Sequence, residues 1–327
     1  MPLLSRIPAA LVRTARARTP NPPSDDFDSR ADTRTDSRAL EPARWEGLPA
    51  STRPGLFETC ANPGCESGWL KIWRSRRTPV FESGWCCSPQ CTRACVELAL
   101  RREMDGRGPA PENHRHRIPL GLAMLEQGWI TARQLREALE AQKTAGVGRL
   151  GQWLVSQQAA SEEQVARALG LQWSCPVLGV EFHDAEGMAA LVPRFFADAF
   201  GALPLRVAAG KILYIGFESR PDSVLALAVE RMTGLRVESG LVPGSPFRAA
   251  YTRQLAATYP HVELTEAVSE SALAHSMVRA IERVQPVESR LVRVHDCLWL
   301  RLWLRPQRGP VPEPDSVEDV VGAAVGR

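Results

Sequence analysis

Two stretches decide how this chain is read: PLGLAMLEQGWITARQLREALEAQ at residues 119–142 and RLGQWLVSQQAASEEQVARALGLQ at residues 149–172. Equivalent positions lie thirty residues apart. Leu120 matches Leu150, Gly121 matches Gly151, Leu125 matches Val155, and Leu135 matches Val165. Ala138-Leu139 matches Ala168-Leu169, and Gln142 matches Gln172. Thr131 followed by Gln134 is a capping-box signal, in which a hydroxyl and an amide side chain satisfy each other's backbone N–H; Ser161 and Gln164 repeat it. Each repeat therefore reads as a short helix, a turn and a capped second helix. On that second helix, positions 135, 139 and 142 share one face, as do 165, 169 and 172. Gly128 suits the turn of the first repeat, and Gln158 stands in its place in the second.

Outward from the repeats the composition is that of a globular protein, with 44% hydrophobic and 24% charged residues over 327 positions. A net charge of +3 implies neither nucleic acid nor membrane by itself. No apolar run has the length to span a bilayer, and residues 1–18 lack an adequate apolar core for a signal peptide. Both features favour the cytoplasm.

Residues 1–54 are rich in Pro, Arg, Asp, Ser and Thr and read as disordered. A cysteine-rich unit at 56–104 and a polar linker at 105–118 lead into the repeats. Past them, 173–256 alternates strand-like runs (202–207, 211–217, 236–239) with helices at 193–199 and 221–233, a small α/β unit. A C-terminal element at 263–305 combines a helix near 269–284 with strand-like 290–304. Pro306, Pro310, Pro312 and Pro314 mark 306–327 as a disordered tail. The expected fold class is α+β and multidomain. It comprises a small zinc finger, a four-helix tandem-repeat subdomain followed by a small α/β subdomain, and a C-terminal helix plus β-hairpin.

Six of the eight cysteines fall between Cys60 and Cys95, a clustering that asks for a metal. Cys60 and Cys65 form a C-x4-C pair around turn residues, and Cys87 and Cys91 form a Cys-Ser-x-x-Cys pair at a helix start. Together they are the expected ligands of one structural zinc. Cys86 is the rival for the third position and Cys95 an outside candidate for the fourth. The arrangement resembles a treble-clef finger. A surface of Arg74, Arg76 and Arg77 with Trp69 or Trp73 would be its nucleic-acid contact, if it makes one.

The repeated pattern Arg-Leu-Gly-x-x-Leu, capped helix, Leu-x-x-Ala-Leu-x-x-Gln is similar to the N-terminal domain of type II secretion and type IV pilus assembly ATPases, whose MshE-type version binds cyclic di-GMP. The resemblance runs through the α/β unit to about residue 255, covering 119–256. It implies a ligand with two guanines and two phosphates shared between two similar helical units. Leu120, Leu135 and Leu139 would pack on one purine, and Leu150, Val165 and Leu169 on the other. Gly121 and Gly151 would permit close backbone approach. Arg149 would address phosphate or a guanine edge, and Gln142 and Gln172 polar base or ribose groups. The first repeat departs from the motif, because Pro119 occupies the place of its arginine; Arg117 lies two residues upstream.

The phosphate loop those ATPases need is missing from this sequence. Gly210-Lys211 is followed by Ile212, has no glycine five residues before it, and reads as a hairpin turn. No nucleophile–base arrangement appears; His295-Asp296 reads as a bend between strands. The expectation is a bacterial, non-enzymatic adaptor or regulator whose partners are cyclic di-GMP and a secretion or pilus assembly protein, without stable membrane insertion. The alternatives are a ligand-independent scaffold of the secretion apparatus, or a nucleic-acid-binding regulator acting through the finger. Trp299, Arg301 and Trp303 alternate with Leu298, Leu300, Leu302 and Leu304. They read as one strand whose tryptophan face is either covered by the chain itself or offered to a partner.

Overall fold

The computed structural model describes residues 60–66, 78–82, 84–105 and 117–324. The expected disordered segment 1–54 and the expected contact residues Trp69, Trp73, Arg74, Arg76 and Arg77 lie outside these residues.

The repeats fold as four helices: α2 (Leu120–Glu126), α3 (Ala132–Ala145), α4 (Leu150–Ser156) and α5 (Glu162–Trp173). Both capping boxes form. The Thr131 and Ser161 hydroxyls accept from the Gln134 and Gln164 amides, and the glutamine side chains accept from the cap N–H groups at 2.8 and 2.9 Å. Gln158 takes the same left-handed conformation as Gly128, with φ of 56° and 67° respectively. The turn is thus kept between repeats although its residue is not. Met124, Ile130, Ala138, Leu154 and Ala168 form their core. The pseudo-symmetry is reciprocal at atomic scale. A Cβ on Gly121 would sit 3.4 Å from Leu150 Cδ2, and one on Gly151 would sit 3.5 Å from Leu120 Cδ2. Each would also meet its own repeat's second helix at 2.7 Å, on Leu135 or Val165. The glycines therefore let each first helix close on its second.

The α/β unit holds α6 (Ala185–Met188), α7 (Arg194–Phe200), β3 (Leu203–Ala208), β4 (Ile212–Phe217), α8 (Ser223–Thr233), β5 (Arg236–Leu241) and α9 (Gly244–Ala256). Strands β3 and β4 pair antiparallel through the turn at Gly210, and β5 joins β4 in parallel after the α8 crossover. Asp222 starts α8 by accepting from Leu225 N at 2.8 Å, and left-handed Gly234 ends it. Leu213, Ile215 and Phe217 pack against Leu225, Val229 and Met232.

The C-terminal element departs from expectation. It comprises β6 (His261–Ala267), α10 (Glu270–Val284), β7 (Glu288–Val294), β8 (Cys297–Trp303) and β9 (Val317–Ala324) in one sheet of order β6-β9-β8-β7. The expected helix-plus-hairpin is therefore too small, and the expected disordered tail at 306–327 supplies an interior strand. The prolines bound an irregular connection, as proline should. Beyond them, Val317, Val320, Val321 and Ala323 are buried on both faces, so the strand lacks the alternation that would announce it.

The finger region contributes β1 (Val80–Phe81), β2 (Gly84–Trp85) and α1 (Pro89–Asp105). It shares a core with the C-terminal element instead of folding over its own. Phe81, Cys95, Val96 and Leu100 pack with Met277, Ile281, Leu298 and Leu300. Strand β1 also extends the sheet beyond β7: Val80 N donates to Pro286 O at 3.0 Å, Glu82 N to Ser289 O at 2.9 Å, and Ser289 Oγ to Val80 O at 2.8 Å. Glu103 on α1, only 6% exposed, accepts both terminal nitrogens of Arg231 on α8 (2.8 and 2.6 Å) and the Arg293 N–H on β7 (3.2 Å). Burial pushes this carboxyl up, but Arg231 and Arg102 outweigh burial and hold it below the usual carboxylate range.

On the other face of the sheet, Trp299, Trp303 and Val321 pack with Phe196 and Leu191 of the α/β unit. The tryptophan face is therefore covered by the chain itself and offers no partner surface.

Candidate functional site

The Sγ atoms of Cys60, Cys65, Cys87 and Cys91 lie within 4.8 Å of one another and could hold a metal ion. Cys87 stands 3.5 Å from both Cys65 and Cys91. Four thiolates around zinc at about 2.3 Å would lie about 3.8 Å apart, so the donor set fits without rearrangement. Local sequence builds the two halves. Asn62 Oδ1 accepts from Gly64 N at 3.0 Å, and Cys65 N donates to Asn62 O at 3.0 Å, closing the first knuckle. Ser88 Oγ accepts from Cys91 N at 3.3 Å, setting Cys91 on the first turn of α1 with Cys87 just before the helix. Cys86, left open as a rival ligand, turns the other way: with Cys95 it is buried in the core shared with α10.

A second site lies where the repeats meet the α/β unit. A cavity of about 310 Å³ opens there. Leu120, Leu150, Val155, Val165, Leu169 and Val242 give it an apolar floor, with Gly151 beneath. Arg149, Glu162, Glu218, Ser219 and Arg248 ring its polar side. Six of the eleven expected ligand residues thus converge: Leu120, Arg149, Leu150, Gly151, Val165 and Leu169. Gly121, Leu135, Leu139, Gln142 and Gln172 do not line it. Gln142 Nε2 instead donates to Gly148 O at 2.9 Å, tying the linker between repeats, and Leu139 is 46% exposed on the first repeat's outer face.

Sequence reasoning missed the contribution of the α/β unit. Arg248, on α9, reaches Glu218 Oε1 at 2.8 Å and Glu162 Oε1 at 3.2 Å. Glu162, in the first turn of α5, also accepts Ser245 N at 2.7 Å and Ser245 Oγ at 2.8 Å. Its carboxyl feels burial pushing it up, yet the Ser245 amide and hydroxyl and Arg248 hold it below the usual range. These partners are 30 to 86 residues apart, so no local spacing signals them.

No family model matches the chain. A stretch of 150 residues, 44% of the chain, is 31% identical to the type IV pilus assembly ATPase PilB of Thermus thermophilus. The chain spans 16% of that relative's length. A stretch of this chain resembles the N-terminal domains of secretion and pilus ATPases. Among solved structures, MshE with cdg matches at 28% identity over 42% of this chain and 99% of that one, with a TM-score of 0.34. The N-terminal domain of XpsE matches at 18% identity over 44% of this chain and 98% of that one, with a TM-score of 0.31. No helix among the described residues is long and apolar enough to cross a membrane.

Proposed function

We propose that this chain is a non-enzymatic, cytoplasmic adaptor or regulator of a type II secretion or type IV pilus-like machine that binds cyclic di-GMP between its repeats and its α/β unit. The observation that carries the reading is the cavity: an apolar floor supplied by Leu120 of the first repeat and by Leu150, Val155, Val165 and Leu169 of the second, rimmed by Arg149, Arg248 and Glu218. A guanine is a flat, largely apolar plate with a polar edge. The leucines and valines suit its faces, a carboxylate at Glu218 suits its N1–H and N2–H donors, and a guanidinium at Arg149 suits O6, N7 or phosphate. The volume is at the small end of ligand pockets. It therefore takes one half of the dinucleotide, while the other half lies over the solvent-facing first repeat toward Leu139. Binding there joins two subdomains, which is how a ligand would change docking to a partner. The four-cysteine site would hold a structural zinc, since it offers four thiols and no open position.

Isothermal titration of the full chain with cyclic di-GMP tests this. Micromolar binding is expected. Arg149→Ala is expected to weaken it about tenfold to a hundredfold, the usual effect of losing a charged hydrogen bond. Glu218→Gln should erode the preference for cyclic di-GMP over cyclic di-AMP. No heat at high micromolar ligand would rule the reading out and leave the ligand-independent scaffold.

A further inference from the structure

The charges that line the cavity cancel: Arg149 and Arg248 stand against Glu162 and Glu218. Arg248 is shared between the two carboxylates. It donates through Nη1 to Glu218 Oε1 at 2.8 Å and through Nη2 to Glu162 Oε1 at 3.2 Å. Glu218 belongs to the α/β unit and Glu162 to the second repeat, so two subdomains hold opposite edges of one guanidinium. Glu162 is anchored independently of Arg248, because Ser245 N donates to its Oε2 at 2.7 Å and Ser245 Oγ to its Oε1 at 2.8 Å. The Arg248 bond is the longest of the three. It can be given up while Glu162 stays in place on Ser245 and Arg248 stays in place on Glu218. Gly244 leaves room for this arrangement: a Cβ there would sit 3.0 Å from Arg248 Nη1 and 3.4 Å from Glu218 Oε1.

We infer that Glu162 is a built-in competitor of the ligand: it holds one edge of the Arg248 guanidinium, and a phosphodiester entering the cavity binds by taking that edge over. The inference rests on the cyclic di-GMP reading and adds to it a control on the affinity of the same site. A phosphodiester carries one negative charge and two free oxygens, so it makes the same demand on a guanidinium edge as a carboxylate does. Once displaced, Glu162 remains close by on Ser245 and faces the phosphate as a like charge, which holds affinity down. A lining without net charge also exerts little pull on anions in general. A ligand that supplies base contacts on the apolar floor can make the exchange, and a bare phosphate cannot. The tie from Glu162 to Arg248 joins the repeats to the α/β unit in the empty state, and the ligand takes over that connection in the bound one.

Titration of the full chain with cyclic di-GMP tests this on wild type, Glu162→Gln, Glu163→Gln, Arg248→Ala and the double variant Glu162→Gln with Arg248→Ala. Glutamine at 162 keeps an oxygen for the Ser245 N–H, so the α5–α9 contact survives the loss of charge. Glu163 is the next residue on α5, pairs with Arg167 at 2.6 Å and does not line the cavity, so its variant makes the same change of charge elsewhere. Glu162→Gln is expected to bind about three- to tenfold more tightly than wild type, and Glu163→Gln as wild type does. In the Arg248→Ala background the gain from Glu162→Gln should vanish, because the group competed for is gone. Wild-type binding that Glu162→Gln leaves unchanged or weakens would overturn the competitor and leave the cyclic di-GMP reading standing. An equal gain from Glu163→Gln, or a gain that persists without Arg248, would do the same. Binding by Glu162→Gln but not by wild type would support both. Absence of binding by every chain would overturn both.

Discussion

Asp319→Asn should lower the stability of the chain by about 3–5 kcal/mol, the cost of leaving a buried charge without its partner. Arg301 and Asp319 face each other on neighbouring strands β8 and β9, with side chains only 1% and 0% exposed. Arg301 donates through Nε to Asp319 Oδ1 and through Nη2 to Oδ2, both at 2.8 Å, a two-point pairing that lysine could not reproduce. Trp299 Nε1 donates to the same Oδ1 at 2.7 Å. An amide in place of the carboxylate could keep one of these bonds but would set an NH₂ against a guanidinium. Chemical denaturation followed by tryptophan fluorescence should show the midpoint fall. The double variant Arg301→Met with Asp319→Leu should recover much of the loss, because neither charge is then buried. Recovery stops short of wild type, since the Trp299 N–H loses its acceptor, at a cost of about 1–3 kcal/mol. Asp319→Asn leaving the midpoint unchanged would mean that water reaches this pair and that the sheet does not seal onto the α/β unit.

Legibility of the fold followed the range of the forces involved. Capping boxes act over three residues, and the repeats they start were readable down to Thr131, Gln134, Ser161 and Gln164. The Cys-Ser-x-x-Cys turn is equally local, and the structure gathers Cys87 where spacing left Cys86 as a rival. Strand β9 was hidden because burial on both faces removes alternation, and the prolines before it made the segment read as tail. The shared core of α1 and α10 joins residues more than 150 positions apart, and nothing in either amphipathic stripe names its partner. The cavity divides in the same way. Its floor, drawn from Leu120 and mostly from the second copy of the repeat, was visible in the motif, whereas Arg248 and Glu218 enter only through the packing of α9 and β4 beside α5.

That shared core gives the cysteine site a reach beyond its own knuckles. Cys87→Ser should abolish binding of one zinc per chain and loosen the C-terminal sheet, while Cys86→Ser should leave metal content unchanged. In isolated zinc fingers the metal contributes about 10–16 kcal/mol to folding, so even a fraction of that exceeds any single side chain here. The route of transmission is explicit. Cys91 sits on the first turn of α1; Cys95, Val96 and Leu100 on the same helix pack against Met277 and Ile281; and β1 is bonded along the edge of β7. Loss of the metal frees the start of α1, and the apolar face of α10 loses its cover. Metal analysis should therefore read near one zinc for wild type and Cys86→Ser, and near zero for Cys87→Ser. Hydrogen exchange after chelation should quicken at Val80, at Glu82 and along the edge of β7 that β1 covers, while the α3 and α5 amides stay protected. Exchange that quickens only around the cysteines would show that the finger and the sheet fold independently. Burial of Cys86 is explained by packing in either case, but only the linked response makes the metal a stabiliser of the unit that clamps onto the α/β unit through Glu103 and Arg231.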